Sequence, residues 1–109
     1  MKAPEGKQAA NIRVGAFIRG ARVSKGYSLN DFERLTGYSF SYLGSVERGR
    51  FSGASEACLS KIADALSLDR CELYCMAHRM PARVARLLFE SPELMKKLYD
   101  AASEIRGLK

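Results

Sequence analysis

Residues 28–49 read SLNDFERLTGYSFSYLGSVERG, and the fold turns on how this stretch is parsed. Ser28 precedes a short run in which Phe32 and Leu35 recur at helical spacing, and Asp31, three residues on, approximates a capping box. Gly37 ends that helix and allows the positive φ that a sharp turn requires. Ser39 opens a second helix that runs to Gly49. Two short helices joined across a glycine turn make a helix-turn-helix, whose second helix is shaped to enter a major groove.

The faces of that second helix follow from its period of about 100° per residue. Leu43, Val46 and Glu47 fall on one side and would face the domain. Ser41, Gly44, Ser45 and Arg48 fall on the other and would face DNA. A glycine inside a helix costs about 1 kcal/mol against alanine. Close backbone approach to DNA would offset that cost at Gly44, and simple tolerance is the other reading. Ser39, Ser41 and Ser45 can donate or accept, yet discriminate bases poorly; the Gln, Asn and Lys that most often read base edges are missing from Ser39–Arg50. Phe40 can touch a thymine methyl or pack at the edge of the core near Leu43. Lys25, Arg48 and Arg50 suit phosphates, which position a protein without reading sequence. The candidate DNA-contacting set is therefore Lys25, Ser28, Ser39, Phe40, Ser41, Gly44, Ser45, Arg48 and Arg50, against the alternative of ordinary solvated surface.

Helical spacing continues on both sides. Asn11 can cap a first helix with Val14, Phe17, Ile18 and Ala21 inward, stopped at Gly26. Ser55 begins a fourth helix with Leu59, Ile62, Ala63 and Leu66 inward, and Asp69 caps a fifth with Leu73, Met76 and Ala77 inward. Pro81 breaks the pattern and can open a sixth carrying Val84, Leu87 and Leu88. Ser91-Pro92-Glu93 is a strong start signal for a last helix with Leu94, Met95, Leu98, Ala101, Ala102 and Ile105 on one stripe. No stretch shows strand alternation. The expectation is an all-α chain: a flexible tail over 1–11, a DNA-binding domain over 12–80 and a C-terminal helical hairpin over 81–109.

Composition agrees. The chain has 109 residues, 47% of them hydrophobic, which is enough for one modest core. No apolar run is long enough to span a bilayer, and Met1–Asn11 lacks the apolar centre of a secretory signal. The net charge is +6, and nine basic residues against four acids up to Gly53 supply five of those charges. A polyanionic partner is favoured. Three cysteines, an odd number, argue against a disulfide framework and for a reducing, cytoplasmic compartment.

The strings IRGARVSKGYS (18–28), LTGYSFSYLGSVERG (35–49) and LSKIADALSLDRCEL (59–73) resemble the Cro/C1-type (XRE) family of helix-turn-helix regulators, from Val14 to Leu73. The resemblance implies a five-helix, lambda-repressor-like domain. It implies a sequence-specific regulator of transcription, in the first place a repressor, that binds a palindromic double-stranded operator as a homodimer. It also implies that Glu47, which as an inward carboxylate needs a partner, pairs with Arg22 in a structural ion pair. Two positions depart from the family's pattern: Leu29 stands where a glutamine often contacts phosphate, and Glu33 where a small alanine often packs.

The hairpin beyond Pro81 reads as a dimerisation or effector-docking segment, with Leu87, Leu88, Leu94 and Leu98 as its contact residues; an intramolecular lid is the alternative. Cys71, Cys75 and His78 fall at i, i+4 and i+7 and could in principle bind zinc or sense oxidants, with Cys58 as a fourth ligand. The spacing is no standard zinc signature, so core packing is preferred and no metal or cofactor is expected. No nucleophile arrangement or phosphate-cradling glycine loop suggests an enzyme. The contrasting functional class is a protein-interaction module or antitoxin, in which the same scaffold uses its C-terminal helices to hold a partner protein.

Overall fold

The computed structural model describes residues 6–50 and 54–106. They form seven helices and divide into two compact units, one ending at Arg79 and the other beginning at Met80. The first unit holds α1 (Lys7–Ser24), α2 (Leu29–Thr36), α3 (Phe40–Glu47), α4 (Glu56–Leu66) and α5 (Arg70–Met76). The second holds α6 (Ala82–Glu90) and α7 (Pro92–Arg106).

Each helix of the first unit gives one apolar stripe to a shared core. Val14 and Ile18 come from α1, Phe32 from α2, Leu43 and Val46 from α3, Cys58, Leu59, Ile62, Ala63 and Leu66 from α4, and Leu73 from α5. The ends are set by side chains. Ser55 accepts from the Cys58 N–H at 3.1 Å, and Asp69 accepts from the Cys71 and Glu72 N–H groups at 2.7 and 3.1 Å. Such caps satisfy amides that the helix itself cannot.

Three expectations need correction. The first helix does not start at Asn11: it starts at Lys7 after Gly6, and Asn11 is buried within it. Ala10 is fully buried, so the core-facing stripe extends a turn further toward the N-terminus than its capping signal suggested. Residues 7–11 are thus helix rather than tail, while residues 1–5 lie outside the described residues. Phe17 and Leu35, expected inside, are 37% and 52% exposed. Both sit at the edge of their stripes, roughly 80–100° from the centre of the buried arc. The buried positions of α1 are Ala10, Asn11, Val14, Gly15, Ile18 and Arg22, and those of α2 are Phe32 and Thr36.

In the second unit α6 packs against α7. Pro81 occupies the position before the first residue of α6, and the Ser91 hydroxyl accepts from the Leu94 N–H at 3.2 Å. No residue of α6 is buried, and Leu87, Phe89, Leu94, Leu98, Tyr99 and Ile105 are exposed. Among the described residues, no helix is long and apolar enough to cross a membrane.

Candidate nucleic-acid interface

The α2–α3 unit is fixed from both ends by local chemistry. The Ser28 hydroxyl accepts from the Asp31 N–H at 3.0 Å while Asp31 accepts from the Ser28 N–H at 2.8 Å, so the capping box is complete. That backbone hydrogen bond is the main reason the Asp31 carboxyl is held below its ordinary pKa; the nearby Arg34 guanidinium, which pairs with it, adds to the effect. Gly37 ends α2 at φ 82°, where a Cβ would be strained, and its N–H donates to the Glu33 carbonyl at 2.8 Å. The buried Thr36 hydroxyl donates to the Phe32 carbonyl at 2.8 Å and accepts from the Tyr38 N–H at 3.2 Å, pinning the turn. Ser39 caps α3 by accepting from the Tyr42 N–H at 3.2 Å.

The inner side of α3 is anchored to α1. Leu43 and Val46 are in the core. Arg22 Nε and Nη2 donate to Glu47 Oε2 and Oε1 at 2.6 and 3.0 Å, and Arg22 Nη1 donates to the Tyr27 carbonyl at 2.7 Å. This planar two-pronged geometry matches guanidinium to carboxylate. The hydrogen bond to Glu47 raises the Arg22 pKa further above its ordinary value, so the cation persists at any working pH. Gly15 completes the junction. A Cβ at Gly15 would lie 2.5 and 2.6 Å from the Val46 and Glu47 carbonyl oxygens, so only glycine lets α1 lie this close to α3. At Gly49, at φ 68°, a Cβ would lie 2.7 Å from the Ile12 backbone.

The outer side carries most of the sequence-derived candidates. Lys25, Ser28, Ser39, Phe40, Ser41, Arg48 and Arg50 are exposed, Phe40 by 50%, and Ser45 is half-buried. Phe40 is thus outside the buried core, with half of its surface open to solvent. Gly44 differs from expectation: it is buried, not open to an approaching backbone. The Arg48 side chain folds back over it, with Nη1 3.2 Å from where a Cβ would stand, and Leu29 covers it from α2 at 3.7 Å. Arg48 Nη2 reaches the Ser45 hydroxyl at 3.5 Å. The absence of a side chain at residue 44 thus brings the Arg48 guanidinium onto the middle of α3's outer face.

Glu33 and Gly15 were not among the candidates. Glu33 Oε1 accepts from the Phe40 N–H at 2.9 Å, at the first turn of α3. Its departure from the family's pattern was the one available signal. For Gly15 the signal was a glycine within a helical pattern, whose cost usually has a packing reason.

Tyr38 and, in α3, Tyr42 form a tilted ring pair, their centroids 5.5 Å apart and their planes 33° from parallel. Tyr42 hydrogen-bonds the Cys58 side chain, and burial in the first place, with Cys58 adding, pushes its pKa up to about 12. Burial also raises the Cys58 thiol pKa. Core packing holds for Cys58, but Cys71 and Cys75 are exposed. His78 lies past the end of α5 at φ 53°, so the helical spacing stops before it and the three residues do not share a helix face. Among the described residues, no three His, Cys, Asp or Glu side chains are grouped to hold a metal ion.

Comparison with known proteins places this geometry. A sequence model of the helix-turn-helix family matches residues 18–73, which contain α2, α3 and α4, the last turns of α1 and the first four residues of α5. The chain is 38% identical over 86 residues to the transcriptional regulator ClgR of Mycobacterium tuberculosis, in two strains, covering 77% of this chain and 76% of the relative. It is 38% identical over 61 residues to the HTH-type transcriptional regulator SlrR of Bacillus subtilis, covering 56% of this chain and 40% of that protein. No solved structure gives a significant match. The matched segment, the capped α2–turn–α3 unit and its Arg22–Glu47 anchor agree, and the chain belongs to the Cro/C1-type (XRE) helix-turn-helix family.

Proposed function

We propose that this chain is a sequence-specific, double-stranded DNA-binding regulator of transcription that acts as a homodimer, with residues 28–49 as its reading unit and repression as its mode. One observation carries the reading: α3 is held along one side by Leu43, Val46 and the Arg22–Glu47 pair, and on its other side Ser41 and the flanking Ser39, Arg48 and Arg50 are exposed, with Ser45 half-buried between them. A rigid helix with such a face suits a major groove, where Ser39, Ser41 and Ser45 meet base edges and Phe40 meets a thymine methyl. Lys25, Ser28, Arg48 and Arg50 hold the flanking phosphates. Similarity to two transcriptional regulators supports the same function.

The homodimer rests on α6 and α7. Leu87, Leu94 and Leu98 are exposed and Leu88 is half-buried, an apolar surface that a second copy would cover. Two reading helices then meet half-sites about one turn of DNA, ~34 Å, apart. The experiment is a salt titration of binding to random duplex and to DNA from upstream of the chain's own gene, with wild type and Arg48→Ala/Arg50→Ala. Preference for the upstream DNA is expected. The double variant should also show a shallower log–log salt slope, by about 0.9 for each phosphate it no longer neutralises. Weak binding that is equal on both DNAs and indifferent to the substitutions would favour a protein-interaction module instead.

A further inference from the structure

An acid supplied by α2 stands at the first amide of α3, at a place where DNA offers almost only negative charge. The three acids of α2 and α3 are Asp31, Glu33 and Glu47. Asp31 lies against Arg34, and Glu47 is locked to Arg22. Glu33 instead meets the Phe40 N–H at 2.9 Å and is exposed. Among the described residues it is therefore the one acid of the two helices that forms no ion pair with a described cation. Two amides of the first turn of α3 are also already taken, Phe40 N–H by Glu33 and Tyr42 N–H by Ser39. These N–H groups would otherwise welcome a phosphate.

We propose that Glu33 is a specificity-determining residue of the α2–α3 unit. The inference rests on the DNA-binding reading above. The exposed Glu33 carboxylate, reaching from α2 to the first amide of α3, lies within a Debye length of ~8 Å of any phosphate or base edge that approaches that amide. It accepts hydrogen bonds and donates none, so it tolerates a base edge that donates, such as the cytosine N4 amine, and rejects acceptor edges and phosphates. Its main consequence is repulsive: it lowers affinity for arbitrary DNA more than for the cognate site, which is how selectivity is built by disfavouring wrong partners. Serines that discriminate weakly on their own gain selectivity from it.

The test compares wild type, Glu33→Gln and Glu33→Ala on random duplex and on the chain's own upstream DNA. Glutamine keeps a carbonyl to accept from the Phe40 N–H and removes the charge. A purely structural cap predicts that Glu33→Gln behaves as wild type and only Glu33→Ala changes. The proposal expects both variants, with thermal melts confirming that they fold, to bind random duplex about tenfold tighter. The ratio of specific to random affinity then falls by about tenfold, the size of one mismatched base pair. Glu33→Lys should go further and steepen the salt slope by about 0.9. Wild-type preference for the upstream DNA with an unchanged ratio in Glu33→Gln would overturn the role of Glu33 and leave the regulator reading intact. A wild type with no preference between the DNAs would overturn both.

Discussion

Arg22 and Glu47 show what a single side chain decides in this fold. Both are buried, and each satisfies the other through two hydrogen bonds. Removing one partner leaves the other charge buried and uncompensated, so Arg22→Ala is expected to destabilise the domain by about 3–5 kcal/mol in urea denaturation. Replacing both by apolar residues of similar volume should cost far less. Gly15→Ala is expected to cost at least ~1–3 kcal/mol in the same assay, because its methyl meets α3 carbonyls that cannot swing aside. Tyr42 gives a pH signature. Its folded pKa of about 12 lies above the ordinary value of 10.0, so its contribution is complete below pH 10 and is lost as pH rises toward 12. Tyr42→Phe should flatten the fall in stability across that window. At this scale the sequence was only partly legible. The resemblance pointed to the Arg22–Glu47 pair, and helical phase placed Leu43, Val46 and Glu47 inward. Glu33, Gly15 and the covering of Gly44 were hidden, because each depends on how close another helix or a folded-back side chain comes.

Among the elements, the short helices lean on their caps. Eight residues make a marginal helix in isolation, and α2 and α3 have that length. The Ser28–Asp31 box, the Thr36–Tyr38 turn and the Ser39 cap supply what length does not. Ser28→Ala is expected to cost about 0.5–2 kcal/mol. The capping contribution of Asp31 carries its own pH dependence. Because its folded pKa is lowered, the contribution is present above the ordinary carboxylate value and is lost as pH falls through the lower folded one. Amide exchange in α2 should therefore quicken in acid before the rest of the domain loosens, and Asp31→Asn should remove that difference. Element order, the turn glycine and the serine caps at Ser28, Ser39 and Ser55 could be read from the sequence, since each is a local signal. The start of α1 could not, because burial of Ala10 is a tertiary effect that overrides the capping propensity of Asn11.

For the whole molecule, charge and exposed apolar surface are unevenly distributed. The basic excess lies before Gly53, in the segment that holds the reading helix. The apolar excess of the surface lies in α6 and α7, with Phe89 81% and Ile105 78% exposed. On the proposed homodimer, Leu87→Asp and Leu98→Asp are expected to lower the mass in sedimentation equilibrium from that of a dimer to that of a monomer while the first unit stays folded. The same variants should weaken operator binding, because two half-sites read together reinforce each other. The division into a domain and a helical hairpin was visible in the break at Pro81 and the restart at Ser91-Pro92-Glu93. What covers the hairpin was not, because an apolar stripe states that it must be buried and not against what. Whether the outer face of α3 reads DNA is tested most directly by an NMR titration of the 15N-labelled chain with a duplex from upstream of its gene. The account predicts that the largest shifts fall on the amides of Ser39, Phe40, Ser41, Ser45 and Arg48, with those of α6 and α7 unmoved. Shifts confined to α6 and α7, with α3 silent, would contradict it.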